Sequence, residues 1–594
     1  MALPKPFVLL DDARDGGAAP RLYQHPVAVV AAMTVDAVAP ALAEVRAGVA
    51  KGLHAAGYLA YEAAAAFEPA LPPPALPPVP LLWFGLFKGF TTPDPDSLPP
   101  ASSAWTGVVT PQIARADYDA RLDTLIELIR AGDLYQANLA YFARVPVLGD
   151  PLALFARLRG AGAGYGAVIA TGTHSIVSLS PELFFALAGR ELICRPMKGT
   201  ARRLADPAAD LEAAQALAAD PKQRAENLMI VDLMRNDLAR IADAGSVAVP
   251  ALFTVESYPT VHQMVSTVTA QLRDGCDWAD ALATLFPCGS ITGAPKIRAI
   301  TALAGIEGRP RGVYTGAIGR VEPGGDAMFS VAIRTLTLAE GADTAELGLG
   351  SGIVADSTAA AEWDETLAKA EFVKAGPPRF DLIETMAFDP QHGIARIELH
   401  LARMKASAQA LGFDFDRHAA RNELQAATFR LDMPSRVRLL LSPTGAIAIE
   451  TRAAPAQPAA PVAVALARHP LPPADLRRRH KTSDRRFWDE ARDRSAFETL
   501  FVDGDGGLTE GSFTSLFVPR GDRLLTPPLT RGILPGVLRA ALIDSGDAVE
   551  AELREVDLAD GFFIGNALRG LIPARLHAAA QDDSAGWPVS GGQT

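Results

Sequence analysis

Apolar residues recur at helical spacing in several segments of the chain. Residues 117–131 place five apolar side chains, from Tyr118 to Ile129, on one face, which predicts an amphipathic helix. Segments 226–242 and 362–375 predict two further helices. Shorter apolar runs such as YGAVIA, HSIVSLS, ELFFALA and RVRLLLS lie between turn residues and predict strands. The pattern therefore favours an α+β protein in which helices pack on layered sheets.

A break that contains two prolines, AGPPRF at 375–380, separates the chain into two parts. It follows the predicted helix 362–375 and precedes a strand-like segment, FDLIETMAF. Proline cannot continue a helix, so the break is a natural boundary. We predict a first module at 1–375, a linker at 376–380 and a second module at 381–594.

Composition and charge exclude several classes of protein. The net charge of −12 argues against a nucleic-acid partner or an anionic membrane surface, which would need a basic face. The three cysteines, Cys194, Cys276 and Cys288, lie far apart, which disfavours a disulfide scaffold or a structural zinc site. The sequence has no uncharged run near the about 18 residues of a membrane span and no signal-peptide pattern, so we expect a soluble, cytoplasmic protein.

An acid and an amine stand out in the first module. Glu182 in SPELFF and Lys198 in RPMKGTARR lie sixteen residues apart on neighbouring strand-like segments. If burial brings their pKa values toward neutrality, the pair can act as a general acid and a nucleophile or base. The alternative is an ordinary surface ion pair.

Carboxylates on two predicted helices suggest a cation site. Glu226 begins one helix, and Glu362, Glu365 and Lys369 share a face of the other. Carboxylate oxygens from two helices suit Mg²⁺, which usually keeps water and an anionic substrate among its ligands. A solvated face with a Glu365–Lys369 pair is the alternative.

Ordered motifs over residues 110–375 resemble one known family. They are SPELFF, PMKGTARR, RAENLMIVDLMRNDL, YPTVHQMVSTV, LFPCGSITGAPKIRAI, GVYTGAIG and GSGIVADS, followed by EWDETLAK. In this order they closely resemble the chorismate-utilising enzymes, which include anthranilate, aminodeoxychorismate, isochorismate and salicylate synthases. Aminodeoxychorismate synthases read P-x-KGT where anthranilate synthases carry alanine at the lysine position, and Lys198 occupies that position here. The resemblance implies a layered sheet and helix fold like that of anthranilate synthase component I, and amination of chorismate at C4.

The resemblance also implies roles for single residues. The Lys198 amine would attack C2 of chorismate while Glu182 protonates the departing C4 hydroxyl, and ammonia would then add at C4 and expel the lysine. Glu226 and Glu362, with Glu365 in support, would hold Mg²⁺ against the ring carboxylate. The other family positions imply substrate-binding residues, namely Arg334, Tyr314, His262, Thr200, Gly350, Gly352 and Lys369.

An amidotransferase is not recognisable in the sequence, because no glycine-flanked cysteine nucleophile precedes a His–Glu pair. We therefore expect the first module to use free ammonia or to receive it from a separate glutamine amidotransferase subunit.

The second module contains the parts of a pyridoxal phosphate site. It supplies a lysine for the aldehyde, an acid for the pyridine nitrogen, and an arginine with a helix N-terminus for the phosphate. Taken alone, Lys481 lies among arginines and could equally be solvated.

Over 381–576 the ordered segments resemble the class IV aminotransferases of fold type IV (D-amino acid aminotransferase-like), in particular the 4-amino-4-deoxychorismate lyases. The resemblance implies that Lys481 binds the pyridoxal phosphate aldehyde and later moves the substrate proton. It places Glu510 at the pyridine nitrogen, and Arg403 with the amides of Val537 and Leu538 at the phosphate. It also implies a homodimer.

The two resemblances together predict a bifunctional route to 4-aminobenzoate, a folate precursor, in which the first module makes the substrate of the second. Two alternatives remain at this stage. One is an anthranilate- or isochorismate-type synthase fused to an amino-acid aminotransferase, and the other is a second module without catalytic function.

Overall fold

The computed structural model describes residues 3–577 except for 15, 95–98, 160–163, 205, 258–260, 375–379, 472 and 474. The chain divides into two compact units, Met1–Gly376 and Pro377–Thr594. Of the predicted linker 376–380, all but Phe380 lies outside the described residues. Among the helices of the described ranges, none has the length and apolar character needed to cross a membrane.

The first unit is built from both strands and helices. Its strands are β1 (Phe7–Asp12), β2 (Arg21–Gln24), β3 (Ala28–Ala32), β4 (His54–Leu59), β5 (Leu82–Phe87), β6 (Trp105–Thr106), β7 (Thr110–Pro111), β8 (Gln136–Leu148), β9 (Tyr165–Ala170), β10 (His174–Ser180), β11 (Leu183–Ala188), β12 (Glu191–Arg195), β13 (Met197–Arg202), β14 (Ala248–Ser257), β15 (Val261–Gln271), β16 (Gly293–Ala294), β17 (Ala317–Val321), β18 (Ala327–Val331), β19 (Thr335–Ala339) and β20 (Thr344–Ile353). Its helices are α1 (Val35–Ala50), α2 (Arg115–Arg130), α3 (Pro151–Leu158), α4 (Pro207–Ala219), α5 (Pro221–Ala239), α6 (Trp278–Leu285), α7 (Lys296–Glu307) and α8 (Ala359–Lys369).

Two large sheets organise the first unit. One has the order β16-β8-β20-β19-β10-β9-β1-β2, with β6 and β7 paired to β8, and the other has the order β13-β15-β12-β11-β18-β17-β4-β5-β3, with β14 paired to β15. The first sheet shares an apolar core with α2, α3 and α7, and the second shares one with α1, α5 and α6. This arrangement confirms the predicted α+β layers.

The predicted helices are present, but their ends differ from the prediction. Helix α2 confirms the segment predicted at 117–131. Helix α5 begins at Pro221 rather than 226, because the Asp220 side chain accepts hydrogen bonds from the amides at 222 and 223. Helix α8 ends at Lys369, and a short 3₁₀ turn continues to Lys374.

The second unit contains two further sheets. Its strands are β21 (Leu382–Asp389), β22 (Gly393–Ile394), β23 (Ser435–Leu441), β24 (Ile447–Ala453), β25 (Val462–Arg468), β26 (Glu498–Val502), β27 (Leu508–Gly511), β28 (Ser515–Arg520), β29 (Arg523–Thr526), β30 (Ala548–Glu550), β31 (Phe562–Asn566) and β32 (Gly570–Leu576). Its helices are α9 (Ile397–Leu411), α10 (Arg417–Thr428), α11 (Leu476–Arg479), α12 (Arg486–Ala491) and α13 (Val537–Asp544). The sheet orders are β22-β21-β23-β24 and β27-β26-β25-β32-β31-β28-β29-β30.

A buried ion pair connects α7 to both sheets of the first unit. Arg311 is 3% exposed and donates two hydrogen bonds to the Glu307 carboxylate, at 2.6 and 2.9 Å. The same guanidinium donates to the Asn138 carbonyl of β8 at 2.7 Å. The Glu62 carboxylate, in the turn after β4, accepts the amides of Arg311 and Gly312. Every charged group in this cluster is therefore hydrogen bonded, as burial requires.

Removing the Glu307 carboxylate should destabilise the first unit strongly. We expect Glu307→Ala to lower the free energy of unfolding by about 3–5 kcal/mol, because it leaves Arg311 buried and unpaired. The matched control is Glu346→Ala, which breaks the half-exposed Arg309–Glu346 pair and should cost about 0–1 kcal/mol. Urea unfolding of the full chain, followed by fluorescence, measures both. Equal effects of the two variants would contradict the proposed importance of the cluster.

Candidate active sites

Glu182 is a buried acid between β10 and β11. It is 3% exposed, and the Ser290 hydroxyl donates to its Oε1 at 2.6 Å. Burial raises the pKa of Glu182 to about 7, although the Ser290 hydrogen bond and the charges of Lys198 and Lys369 act in the opposite direction. A carboxyl group that titrates near neutrality is suited to proton transfer.

Lys198 lies near this acid, in β13. Leu183, the residue after Glu182 and the first of β11, pairs with Arg195, which precedes Lys198 by three residues. This pairing brings the chain close to Glu182 shortly before it reaches Lys198. The strand that contains Lys198, β13, pairs with β15 and not with β11. This differs from the sequence analysis, which predicted that Glu182 and Lys198 lie on neighbouring strands. The reason is that β12 and β13 are separate strands and only β12 pairs with β11.

The Lys198 amine occupies space that a side chain at position 352 would fill. A β-carbon on Gly352 would lie 2.4 Å from Lys198 Nζ, which is far inside contact distance. The same Nζ also lies 3.7 Å from the Glu226 carboxylate of α5. Glycine at position 352 is therefore a steric requirement for this position of the amine.

The three glutamates predicted as metal ligands do not converge on one point. Within the described residues, no three His, Cys, Asp or Glu side chains form a group able to bind a metal. Glu226 faces Lys198, and Glu365 pairs with Lys369 at 2.7 Å, so two of the three carboxylates have lysine partners. The i,i+4 pair considered as the alternative from the sequence is thus present.

Glu362 differs from these two carboxylates in that one of its oxygens has no partner among the described residues. Its Oε1 accepts the Ser357 hydroxyl at 2.6 Å, while its Oε2 is buried without a hydrogen-bond partner among the described residues. An unpartnered buried carboxylate oxygen is costly unless a cation or a donor reaches it. The donor chemistry around Glu362 therefore fits a hard divalent ion such as Mg²⁺.

Two of the predicted substrate-binding residues, Lys369 and Tyr314, lie close to a third, Gly350. Lys369 Nζ donates to the Gly350 carbonyl at 3.0 Å, and the buried Tyr314 hydroxyl lies 3.0 Å from where a β-carbon at Gly350 would stand. Arg334 adopts a left-handed backbone with φ of 51° at the start of β19. Thr200 is exposed, and its hydroxyl donates to the Gln263 side chain at 2.9 Å.

His262 is held by two neighbours. It is 2% exposed, with Nδ1 2.8 Å from the Ser257 hydroxyl and Nε2 3.0 Å from the Asp210 carboxylate of α4. Both ring nitrogens are thus engaged by this chain, so the structure does not leave a ring nitrogen for a substrate. Sequence reasoning missed Asp210 and Ser257, since neither belongs to the motifs that carry the resemblance.

A cavity of about 340 Å³ in the second unit collects the predicted cofactor residues. Lys481, Glu510, Arg403, Val537 and Leu538 all line it. This volume lies in the range of small-molecule sites.

The surroundings of Lys481 in this cavity lower the pKa of its amine. Burial lowers its pKa to about 7, with a further contribution from the charge of Arg403, while the charge of Glu384 opposes the shift. The amine is therefore neutral above pH 7 and nucleophilic toward an aldehyde.

Arg403 is fixed by a buried carboxylate that the sequence analysis missed. Glu384 in β21 accepts Arg403 Nε at 2.8 Å and Nη2 at 2.6 Å, and it lies 2.6 Å from His400 Nδ1. Although burial acts to raise it, Arg403 and His400 bring the pKa of Glu384 down to about 2. An acid inside the apolar strand LIETMAF was the signal that could have revealed it.

Arg403 also reaches the start of α13, where its Nη1 donates to the Pro535 carbonyl at 3.0 Å. Val537 and Leu538 are the first two residues of that helix, whose free amides and dipole favour an anion. Glu510 lies elsewhere on the cavity wall, 5% exposed, and accepts the Leu534 amide at 3.1 Å. Burial raises the pKa of Glu510 to about 7.

Comparison with known families matches both units. Residues 5–375 match the model of the family described as chorismate binding enzyme, and residues 381–576 match that of Amino-transferase class IV. The crystal structure of anthranilate synthase component I from Streptococcus pneumoniae TIGR4 aligns with a TM-score of 0.53 and 25% identity, over 63% of this chain and 93% of that one. These matches confirm the fold predicted for each unit.

Several curated relatives match the first unit. Aminodeoxychorismate synthase component 1 of Klebsiella aerogenes is 44% identical over 269 residues, which cover 45% of this chain and 58% of the relative. Anthranilate synthase component 1 of Streptomyces coelicolor is 40% identical over 272 residues, which cover 45% and 52%. The chain thus spans little more than half the length of the curated relatives it matches.

Lys481 should react as a neutral amine at unusually low pH. In cofactor-free protein, we expect its reductive methylation by formaldehyde to increase as pH rises through about 7 and then to level off, because its pKa is about 7. Mass spectrometry of digested protein gives the extent at each pH, and the exposed Lys405 of the same unit is the reference. A Lys481 rate that still climbs steeply above pH 8.5 would contradict the lowered pKa.

Proposed function

The chain belongs to the chorismate binding enzyme family, and we propose that its first unit aminates chorismate at C4 with ammonia, giving 4-amino-4-deoxychorismate. The observation that carries this proposal is the Lys198 amine of the PMKGT segment, seated against Gly352. Anthranilate-type members have no amine at that position. The higher identity to an aminodeoxychorismate synthase component 1, 44% against 40% for an anthranilate synthase component 1, supports the same choice.

In the proposed reaction Lys198 and Glu182 act at two different carbons of the chorismate ring. Lys198 forms a bond to C2 of the ring while Glu182 gives its proton to the C4 hydroxyl, which leaves as water. Ammonia then adds at C4, and the bond between C2 and Lys198 breaks. The Ser290 hydroxyl, hydrogen bonded to Glu182, keeps the carboxyl oriented throughout.

We further propose that Glu362 and Glu226 hold Mg²⁺, with Glu365 in support. The ion would neutralise the ring carboxylate of chorismate. The unpartnered Oε2 of Glu362 supports this assignment, and Glu226 would exchange its contact with Lys198 for the ion. Lys369, Tyr314 and Arg334 would position the substrate carboxylates around the Gly350 backbone.

In the second unit, pyridoxal phosphate would be bound by Lys481, Glu510, Arg403 and the first amides of α13. The cofactor supplies electron withdrawal from the carbon next to the substrate nitrogen. When the substrate amine takes its place, Lys481 is free to remove the proton at ring C4. The enolpyruvyl group would then leave as enolpyruvate, which becomes pyruvate by taking up the proton held by Lys481, and the ring would become the aromatic ring of 4-aminobenzoate.

The order of the two proposed reactions is itself an argument, because the product of the first unit is the substrate of the second. The name component 1 of the relatives supports a separate glutamine amidotransferase subunit as the ammonia source. We also propose a homodimer formed through the second unit, and the cytoplasm as its location.

Product analysis of three proteins tests the two activities separately. With chorismate, Mg²⁺, ammonium and pyridoxal phosphate, the wild-type protein should release equal amounts of 4-aminobenzoate and pyruvate. Lys481→Ala should accumulate 4-amino-4-deoxychorismate, and Lys198→Ala should release no 4-aminobenzoate, while the exposed control Lys405→Ala should match wild type. Chromatography with mass spectrometry identifies the products. Ortho-aminobenzoate as the main wild-type product would contradict the proposal.

The pH profile tests the role of Glu182. The amination rate should fall as pH rises through about 7, because the acid form of Glu182 is lost there. Ser290→Ala removes a donor to the carboxylate, so it should raise this pKa and move the falling limb to higher pH. Glu182→Gln should lower the rate by about 10²–10⁴-fold below pH 7 and should lack the falling limb.

Ammonium must be adjusted in this experiment so that free ammonia is constant across the pH range. A falling limb at the same pH in wild type and Ser290→Ala would exclude Glu182 as the titrating acid.

A further inference from the structure

The strand that carries Lys198 contains a β-bulge at that residue. The pairs on either side of the bulge are Met197 with Val265 and Thr200 with Gln263. Between these pairs β13 has one residue more than β15, and the extra length falls at Lys198 and Gly199. Gly199 has a φ of 99°, a backbone conformation that residues with a side chain rarely adopt. Because a bulge re-aims the side chains of its strand, the direction of the Lys198 side chain depends on this bulge.

Two side-chain amides bind the backbone carbonyls of this bulge. A bulge interrupts the hydrogen bonds between its strands, so its buried carbonyls need other partners. The Nε2 of Gln263 donates to the Gly199 carbonyl at 2.9 Å, and the Nδ2 of Asn227 donates to the Lys198 carbonyl at 3.3 Å. Gln263 lies on β15 and Asn227 on α5, so two separate elements hold the bulge.

Each of these amides is itself oriented by a hydroxyl group. The Thr200 hydroxyl donates to Gln263 Oε1 at 2.9 Å, and the Ser266 hydroxyl donates to Asn227 Oδ1 at 2.6 Å. Since a backbone carbonyl can only accept, the nitrogen of each amide must face the bulge and its oxygen must face the hydroxyl. Gln263 is 9% exposed and Asn227 is 1% exposed, so water is largely excluded from both bonds to the bulge.

The Lys198 amine depends on this backbone anchor, because its own contact with a carboxylate is loose. Its Nζ is 3.7 Å from the Glu226 carboxylate, which exceeds hydrogen-bond distance, and the proposed Mg²⁺ would draw that carboxylate away. Gly352 leaves space for the amine because it has no side chain. The bond from Asn227 to the Lys198 carbonyl does not involve the Glu226 carboxylate, so it remains when that carboxylate binds the ion.

We propose that Gln263 and Asn227 are positioning residues, which hold the bulge and thereby direct the Lys198 amine at the ring carbon that it attacks. The proposal rests on the amination function proposed above. A lysine amine stands on a flexible four-carbon stem, so its position is defined only if the backbone beneath it is fixed. A displacement of a reacting atom by about 1 Å can lower a rate by about 10²-fold. The two amides therefore act on the attack itself and not on the affinity for chorismate.

Two acid substitutions remove only the bonds to the bulge. Gln263→Glu and Asn227→Asp keep the size of the side chain and the oxygen that accepts the hydroxyl. They replace the donating nitrogen with an oxygen that faces a carbonyl oxygen, so the bond to the bulge is lost. The matched control is Gln271→Glu, which makes the same substitution at an exposed residue of β15.

Incubation of the full chain with chorismate and Mg²⁺, but without ammonium, isolates the attack step. The bond from Lys198 to C2 then forms with loss of water from C4, and the adduct persists because no ammonia displaces the lysine. Mass spectrometry of rapidly quenched protein measures how fast the adduct forms. At saturating chorismate we expect this rate to fall by about 10–100-fold in Gln263→Glu and in Asn227→Asp. The half-saturating chorismate concentration should stay within about threefold, and Gln271→Glu should match wild type.

The split between rate and affinity decides whether the two amides position the lysine. A maximal rate within about twofold of wild type in either acid variant would overturn the proposal, and so would a loss confined to the half-saturating chorismate concentration. Lys198→Ala lacks the attacking amine and should form no adduct. If an acid variant does not fold, as judged by urea unfolding followed by fluorescence, the uncharged Gln263→Met and Asn227→Leu decide by the same criteria.

Chemical labelling of the amine separates the positioning role from the amination function. Without substrate, reductive methylation of Lys198 by formaldehyde should be faster by about threefold or more in Gln263→Met and Asn227→Leu, because release of the bulge opens a partly buried site. These variants add no charge near the amine, and the exposed Lys405 is the internal reference. Faster labelling in the variants, with no adduct in wild type, would refute the amination function alone. Equal labelling of Lys198 in all proteins would refute the positioning role.

Discussion

The cost of removing charge from water governs both candidate sites. Where a buried group lacks strong partners, its pKa moves toward neutrality, as for Glu182 and Glu510 with about 7 each and for Lys481 with about 7. Where partners are supplied, the charge persists, as for Glu384 with a pKa of about 2 beside Arg403. The same protein therefore keeps some side chains permanently charged and others ready to exchange a proton, according to what surrounds each one.

Sheet geometry decides which side chains share a site. The alternation along β23 sends Val437 inward and Arg438 to the cavity, so a single strand contributes both to packing and to the site. In the first unit, the absence of a side chain at Gly352 leaves space for the Lys198 amine, and the Gly350 carbonyl accepts a hydrogen bond from Lys369. Packing and chemistry are thus set by the same backbone.

Sequence reasoning was most successful where the information is local. The buried face of α2 follows from the spacing of apolar residues within one segment. Contacts between distant segments could not be deduced this way. The Ser290–Glu182 hydrogen bond spans 108 positions, and the partner of His262 is Asp210 on a helix outside the family motifs. The contact between Glu226 and Lys198 likewise depends on side-chain packing that spacing does not encode, whereas the Glu365–Lys369 pair follows from i,i+4 spacing.

The bond between Arg403 and Glu384 has a consequence for how the second unit acquires its cofactor. The arginine expected to meet the phosphate is already immobilised by three hydrogen bonds, two to Glu384 and one to the Pro535 carbonyl. A phosphate that binds at Arg403 would therefore meet a side chain already held in one conformation, and little rotamer entropy of Arg403 would be lost on binding. Cofactor loading at this arginine would therefore require no change in the Arg403 rotamer.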